Sequence, residues 1–297
     1  MPKHAYIKKG FSQSSLDLIE RCNRIVVDYQ RQGYSLTLRQ LYYRLVAGGR
    51  IPNTTQSYKR LGRIVNEARL TGHIDWLAIE DRTRSLRDKG RWENPTAIMR
   101  AMLDGFIIDR WAGQEWRVEV WVEKDALIGI VGQVANQVDV PYFSCRGYTS
   151  QSEMWRAARR VKSHLVDGQK VLIVHLADHD PSGIDMTRDI IDRFQIFWAD
   201  NVRVERIALT MEQVEEYQPP PNPAKITDSR YSTYVLKFGT QSWELDALEP
   251  AVITELISTI VTAHRDELMW HEVLEREKAM RVLLDDALEM VEENDKW

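Results

Sequence analysis

The chain has 297 residues, of which 43% are hydrophobic, enough to bury one or two ordinary cores. No apolar run approaches the roughly 20 residues of a membrane-spanning helix, and the first residues lack the apolar core of a secretory signal. The two cysteines, Cys22 and Cys145, lie far apart in sequence and predict neither a disulfide framework nor a zinc site. We therefore expect a cytoplasmic protein without membrane contact.

The formal net charge of −4 hides a strong asymmetry along the chain. Residues 1–110 contain 20 lysines and arginines against 11 acidic residues, whereas residues 244–297 contain 5 against 15. A basic first third on an acidic chain indicates a local binding site for a polyanion such as nucleic acid. The alternative is a basic surface that is merely solvated.

The first third of the chain predicts a small helical DNA-binding domain. Amphipathic stretches predict three short helices, at residues 14–32, 38–47 and 56–70. An extended, charged segment follows at residues 74–91, as in a helix-turn-helix domain with a wing. We thus expect a winged-helix (CAP-like) domain over residues 1–93. Its third helix would contact DNA through four basic side chains, Lys59, Arg60, Arg63 and Arg69.

The remainder of the chain predicts an α/β domain with a mainly parallel sheet. Asn94 and Pro95 open a connector helix that runs to about Trp111, within a connector at residues 94–116. Strands are predicted at residues 117–122, 140–144, 170–177 and 202–208, with helices near 125–137, 150–166 and 184–198. This alternation places the α/β domain at residues 117–249, followed by an acidic helical C-terminal segment at 250–297.

Acidic side chains follow two of the predicted strands. Glu123 ends the first strand, and Asp178 and Asp180 follow a later apolar run with i, i+2 spacing. Binding sites gather at the carboxyl ends of parallel strands, and carboxylate oxygens are the ligands that Mg²⁺ prefers. The three carboxylates therefore predict a metal site. The alternatives are a Glu123–Lys124 ion pair and aspartates that only cap a helix.

A second candidate constellation lies on the second predicted helix, at Arg39, Tyr42 and Tyr43. Arg39 precedes Tyr43 by one helical turn, so the two side chains share a face on which a cation could stabilise a phenolate. Tyr42 and Tyr43 point about 100° apart and cannot both face one site. We expect one of them to pack in the core, and packing alone is the alternative for both.

These motifs, in this order, resemble the A subunit of DNA topoisomerase VI and its relative, the meiotic double-strand-break transesterase. The resemblance rests on Arg39-x-x-Tyr42-Tyr43, on Val122-Glu123-Lys124 and on Asp178-x-Asp180-Pro-x-Gly183, and spans roughly residues 35–250. In length the chain is most similar to short, stand-alone Mini-A members. The resemblance implies that residues 117–249 form a Toprim domain, the metal-binding fold shared by topoisomerases and primases.

The family resemblance also implies a mechanism. Tyr43 would be the nucleophile and would attack a phosphodiester held near the Glu123, Asp178 and Asp180 metal of a partner protomer, leaving a 5′-phosphotyrosyl link. The implied cofactor is Mg²⁺ or Mn²⁺, and the implied partners are double-stranded DNA and a second copy of the chain, in the nucleoid. The family's Lys-Gly-x-Pro motif appears here as Arg146-Gly-Tyr-Thr, which keeps a basic DNA-binding residue but not the proline.

The sequence shows no ATP-binding pattern, so strand passage by this chain alone is not expected, and a separate ATPase subunit stays an open question. Two other functions remain open. One is a Toprim nuclease that hydrolyses DNA with metal-activated water. The other is a catalytically silent DNA-binding dimer. A primase is disfavoured, because nothing resembles a zinc or template-binding module.

Overall fold

The computed structural model describes residues 3, 5–34, 36–79, 91–197, 199 and 201–294. The helices are α1 (Gln13–Arg31), α2 (Leu38–Ala47), α3 (Thr55–Leu70), α4 (Pro95–Asp104), α5 (Ile128–Gln137), α6 (Gln151–Val166), α7 (Pro181–Ile196), α8 (Met211–Tyr217), α9 (Tyr231–Phe238), α10 (Pro250–Thr262) and α11 (Glu267–Asn294). The strands are β1 (Trp116–Val122), β2 (Tyr142–Ser144), β3 (Lys170–Leu176), β4 (Val202–Ala208), β5 (Asn222–Pro223) and β6 (Gln241–Ser242). Short 3₁₀ turns cover Asp125–Leu127 and Leu245–Ala247.

The chain is an α/β protein built on a four-stranded sheet of order β2-β1-β3-β4, in which every neighbouring pair is parallel. The register pairs Val122, the last residue of β1, with Leu176, the last residue of β3. The two strands therefore end side by side. The residues that follow the two strands therefore lie at the same edge of the sheet, as the sequence predicts for parallel strands.

Alternating side chains of β1 and β3 enter two different cores, because successive residues of a strand point to opposite faces. Val120 and Val174 pack on one face with α5 and α10, whereas Trp121 and Ile173 pack on the other with α6 and α7. The sheet is thus covered by helices on both faces, which explains why its strands are nearly continuous apolar runs.

The three predicted N-terminal helices are present and share a core of their own. Thr37 begins α2 with a capping box, in which its hydroxyl accepts from the Gln40 amide and the Gln40 side chain accepts from the Thr37 amide. Thr54 caps α3 through its side chain alone, without the second bond of a capping box. Most of the predicted wing, residues 80–90, lies outside the described residues, so the winged-helix assignment stays a prediction.

The N-terminal helices dock on the carboxyl edge of the sheet through the Leu245–Ala247 turn, which packs against α2. Ala247 is buried in the core of the N-terminal helices. Polar contacts extend this junction: Tyr29 donates to Glu249 at 3.3 Å, and the Tyr34 and Thr254 hydroxyls lie 3.1 Å apart. The tyrosine-bearing helix therefore lies directly against the edge where β1 and β3 end.

Several predicted boundaries are wrong, among them the following three. The connector helix ends at Asp104 rather than near Trp111, because Gly105 terminates it and Trp111 turns into the sheet core, where its indole donates to the Val138 carbonyl. The helix α7 begins at Pro181 rather than at 184, because Asp180 caps it. The third boundary is the start of β2, which lies at Tyr142 rather than at 140.

The C-terminal segment is helical, as predicted, but its two helices have different environments. The apolar face of α10 is part of the sheet core, with Ile253 and Ile257 fully buried. The acidic α11 lies along α4, and an ion pair between Glu277 and Arg110 at 2.8 Å joins it to the loop that follows α4. Although α11 has 28 residues, neither it nor any other described helix is long and apolar enough to cross a membrane.

Gly183, in the first turn of α7, is required by close packing. A Cβ atom at this position would lie 2.2 Å from the Asp178 carbonyl oxygen. We expect Gly183→Ala to lower the free energy of unfolding by about 3 kcal/mol, because backbone must shift to relieve the clash. Urea denaturation measures this change. Gly10→Ala is the control, since its Cβ would meet no atom within 4 Å, and equal losses in both variants would contradict the prediction.

Candidate active site

The ends of β1 and β3 bring Glu123 and Asp178 into contact, as their spacing predicts. The Asp178 amide donates to Glu123 Oε2 at 2.9 Å, and the Glu123 amide donates to the Leu176 carbonyl at 2.8 Å. Burial raises the pKa of both carboxyl groups, and the nearby charge of Asp180 raises that of Glu123 further. Ionising these two neighbouring buried acids therefore costs free energy, and a bound cation would offset that cost.

Asp180 plays the structural role that the sequence offered as an alternative. Its Oδ1 accepts from the Gly183 amide at 2.6 Å and from the Ser182 hydroxyl at 2.9 Å, which makes it the N-cap of α7. It also lines the same cleft as Asp178, so the capping role does not remove it from the site.

A buried acidic cluster that could hold a metal ion consists of Asp178, Glu244 and Asp246. Their ligand atoms all lie within 4.8 Å of one another, and in the described part of the chain this is the one such group found. The predicted trio of Glu123, Asp178 and Asp180 is not gathered to that distance. Only Asp178 belongs to both sets, and the predicted trio stays a prediction.

Two cations neutralise this acidic cluster. Lys124 Nζ lies 3.0 Å from Asp178 and 2.9 Å from Asp246, and it also contacts Glu244. The Arg39 guanidinium lies 3.0 Å from Glu244 and 3.3 Å from Asp246. Because Lys124 is 13% exposed and the Asp246 side chain is completely buried, the pair between them is shielded from water and is stronger than a surface pair. The Arg39 side chain is 49% exposed, so solvent screens its pairs in part.

Tyr43 faces this charged cluster from α2. The Arg39 guanidinium carbon lies 5.9 Å from the centre of the Tyr43 ring. Burial and the charges of Glu244 and Asp246 raise the pKa of Tyr43 to about 12, against the opposing effect of Arg39 and Lys124. The phenol is therefore protonated at neutral pH in this conformation.

Tyr42 is oriented differently, as the 100° separation on a helix predicts. Its hydroxyl donates to Asn53 Oδ1 at 3.0 Å and to the Thr54 carbonyl at 3.1 Å, next to the start of α3. Both tyrosines are buried, at 5% and 6% exposure, so packing in the core extends to the pair rather than to one of them. Their rings pack edge to face, 5.2 Å apart. The hydroxyl that faces the acidic cluster is that of Tyr43.

Beside the contact of α2 with the Leu245–Ala247 turn, a cleft of about 450 Å³ lies between the N-terminal helices and the acidic edge of the sheet. It is lined by side chains from both parts of the chain: Arg39, Tyr42, Tyr43, Asn53, Thr54, Thr55, Tyr58, Asp178, Asp180, Asn222, Pro223, Lys225, Ser242, Trp243 and Glu244. Asn53 donates to the Asn222 side chain at 2.5 Å across one end of the cleft. The tyrosines and two of the predicted carboxylates thus share one cleft within a single chain.

Arg206, on β4, holds the loop between β3 and α7 that carries Asp178 and Asp180, a role that the sequence does not reveal. Its guanidinium donates to the carbonyl oxygens of Ala177 at 2.9 Å, Asp178 at 2.6 Å and Gly183 at 2.8 Å. These bonds fix the backbone between the end of β3 and the start of α7. Desolvation by the surrounding protein lowers the pKa of Arg206 to about 10, while the nearby acids oppose that shift.

His179 links the same loop to the segment that carries Glu244. Its backbone forms an antiparallel bridge with Trp243, with N–O distances of 2.8 and 2.9 Å. Its ring is 2% exposed and its Nδ1 lies 2.8 Å from the Tyr234 hydroxyl, so it is not available to contact DNA. This bridge therefore places Glu244 and Asp246 next to Asp178.

The predicted DNA-binding residues separate into two groups. Lys59, Arg60 and Arg63 are exposed on α3, and Arg146 is 71% exposed, with its Nε 3.0 Å from Asp125. Arg69 is different, because its guanidinium stacks 4.7 Å from the Trp76 ring and donates to the Trp76 carbonyl at 2.5 Å. Arg69 therefore stabilises the N-terminal domain rather than offering a free cation.

The buried ring of His179 makes a pH-dependent contribution to stability. Burial, assisted by Arg206, lowers the pKa of His179 to about 4, so the unfolded chain binds one more proton between about pH 6.5 and 4. This residue alone should lower the free energy of unfolding by up to about 1.4 kcal/mol for each pH unit below 6.5. In urea titrations from pH 7 to 4.5, His179→Gln should lose this slope while His271→Gln, at an exposed histidine, keeps it. Equal slopes in wild type and His179→Gln would contradict the assignment.

Comparison of the chain with protein-family models, with curated proteins and with solved structures finds no match. The resemblance to the topoisomerase VI A subunit therefore rests on the order and spacing of the motifs alone.

Proposed function

We propose that the chain is a Mg²⁺-dependent DNA-cleaving transesterase similar to the A subunit of topoisomerase VI, with Tyr43 as its nucleophile. The observation that carries the proposal is the shared cleft, in which Tyr43, Arg39, Asp178 and Asp180 line one space. Each protomer therefore carries a nucleophile and acidic residues able to bind a metal at the same edge, so that two protomers in a dimer could exchange them.

The acidic residues fit a hard divalent cation. Glu123, Asp178 and Asp180 offer carboxylate oxygens. Burial raises the pKa of Glu123 and Asp178, and a bound cation would lower both values again by stabilising the charged carboxylates. When bound, Mg²⁺ supplies positive charge that balances the phosphoryl and leaving oxygens. Mn²⁺ has the same ligand preference and should substitute for it.

The chain's own residues account for the nucleophile. Tyr43 Oη forms a bond to phosphorus while the bond from phosphorus to the 3′-oxygen breaks. The phenol loses its proton and the 3′-oxygen gains one, so the products are a 5′-phosphotyrosyl link and a 3′-hydroxyl. Arg39, paired with Glu244 and stacked near the ring, is placed to stabilise the phenolate.

DNA reaches the phenol only if the cleft opens, because Tyr43 is 6% exposed. Separation of α2 from the Leu245–Ala247 turn would expose Tyr43 and remove the nearby charges of Glu244 and Asp246, which raise its pKa. An exposed tyrosine could then act on DNA bound at the acidic edge of a partner protomer, as the resemblance implies. A dimer with C2 symmetry would cut both strands.

Hydrolytic cleavage by a Toprim-type nuclease is the second candidate. It is favoured by one observation, that the pKa of Tyr43 is raised to about 12, which makes the phenol a poor nucleophile in the closed cleft. In that mechanism water replaces the tyrosine as the nucleophile, and no protein–DNA link forms.

The two candidates predict different effects of removing one hydroxyl. With Mg²⁺ and end-labelled duplex DNA, quenched in detergent, Tyr43→Phe should abolish a protease-sensitive DNA adduct, a loss of at least about 10³-fold. Tyr42→Phe is the matched control, since it loses only bonds to Asn53 and Thr54, and it should keep the adduct. Cleavage without an adduct, unchanged in Tyr43→Phe, would establish the nuclease instead.

The exposed cations of α3 should contact phosphates, whereas Arg69 should not. Arg63→Ala is expected to weaken duplex binding and to reduce the slope of log affinity against log salt by about one. Arg69→Ala should instead lower the free energy of unfolding by about 1–2 kcal/mol, because it loses its contacts with Trp76. Fluorescence anisotropy at several NaCl concentrations and thermal unfolding separate these effects. Unchanged affinity and salt slope in Arg63→Ala would remove α3 from the DNA interface.

A further inference from the structure

The acidic cluster of Asp178, Glu244 and Asp246 has the size of a cation site, because its ligand atoms lie within 4.8 Å of one another. It has an unused acceptor as well. Asp246 Oδ2 is buried and accepts no hydrogen bond, although Arg39 Nε lies 3.3 Å away. A cluster with this geometry and charge requires a cation among its oxygens.

The Lys124 ammonium already lies among all three carboxylates. Nζ is 3.0 Å from Asp178 Oδ2, 2.9 Å from Asp246 Oδ1 and in contact with Glu244 Oε2. The Lys124 side chain is only 13% exposed, so the ammonium is held inside the protein rather than at its surface. The other oxygen of Asp178 accepts from the Leu245 amide at 2.7 Å, which fixes the carboxylate that the cluster shares with the predicted metal site.

We propose that Lys124 takes the place of a second divalent cation, so that each protomer binds one divalent ion, at Glu123, Asp178 and Asp180. The inference deepens the proposed function and rests on it for the identity of that single metal site. Lys124 follows Glu123 directly in sequence, so one strand end supplies both a metal ligand and a fixed positive charge. Lys124, which stays with the cluster when α2 moves away, then provides part of the charge that a second metal contributes in two-metal sites.

The stoichiometry of Mn²⁺ binding tests this inference without DNA or activity. In equilibrium titrations followed by electron paramagnetic resonance, the full-length wild type should bind one Mn²⁺ per chain. Lys124→Ala should bind two, because removal of the ammonium leaves three facing carboxylates. Lys225→Ala is the matched control, since Lys225 lines the same cleft and is exposed, and it should still bind one. Adding Asp246→Asn to Lys124→Ala should return the stoichiometry to one.

Two Mn²⁺ ions in the wild type, or a single ion in Lys124→Ala, would overturn the role of Lys124 while leaving the proposed function intact. If the wild type binds no ion and Lys124→Ala binds one, the role of Lys124 in excluding a cation is supported. The metal site at Glu123, Asp178 and Asp180, and with it the metal in the proposed function, is then overturned. Anomalous scattering from wild-type crystals soaked in Mn²⁺ needs no variant. A peak among Asp178, Glu244 and Asp246 would show that the metal displaces Lys124, and a single peak beside Glu123 would support the inference.

Discussion

The carboxylate of Asp178 lies where four parts of the fold meet. Asp178 follows β3, and its backbone amide donates to Glu123 at the end of β1. Of its two carboxylate oxygens, Oδ1 accepts from the Leu245 amide and Oδ2 pairs with Lys124. Its carbonyl oxygen accepts from Arg206 on β4. A charged group that is 7% exposed can stay in the protein only if such partners surround it, so their placement is a condition for folding as well as for function.

This constraint explains why a tyrosine on the N-terminal helices faces the edge of the sheet. The His179–Trp243 bridge brings Glu244 and Asp246 to Asp178, and the turn that contains Asp246 packs against α2. Arg39 then pairs with both of the added acids. The same ion pairs that stabilise the closed cleft also surround the phenol of Tyr43, so opening the cleft for DNA would change the electrostatic environment of the nucleophile.

Most of the fold could be predicted from local sequence signals, whereas part of the site could not. The capping box at Thr37 and the apolar runs of β1 and β3 are short-range patterns, and the four predicted strands of the parallel sheet and the three N-terminal helices lie within a few residues of their observed positions. Glu244, Asp246 and Arg206 were missed because only tertiary contacts bring them to Asp178. A signal did exist: Glu244-x-Asp246 repeats the i, i+2 spacing of the Asp178 motif after an extended segment. The N-cap role of Asp180 was one of the two alternatives that the sequence offered, because an aspartate before Pro181 is a common helix N-cap, and its role as a metal ligand stays a prediction.

The proposed transesterase depends on Tyr43 as its nucleophile, and mass spectrometry of the trapped reaction identifies the residue that becomes linked to DNA. The wild-type protein would be incubated with Mg²⁺ and duplex DNA, denatured, digested with nuclease and protease, and searched for a peptide that carries a nucleotide. A transesterase predicts one modified peptide, with the 5′-phosphate of the nucleotide on Tyr43. Cleaved DNA with no nucleotide on any tyrosine, or a nucleotide on Tyr42, would contradict the assignment.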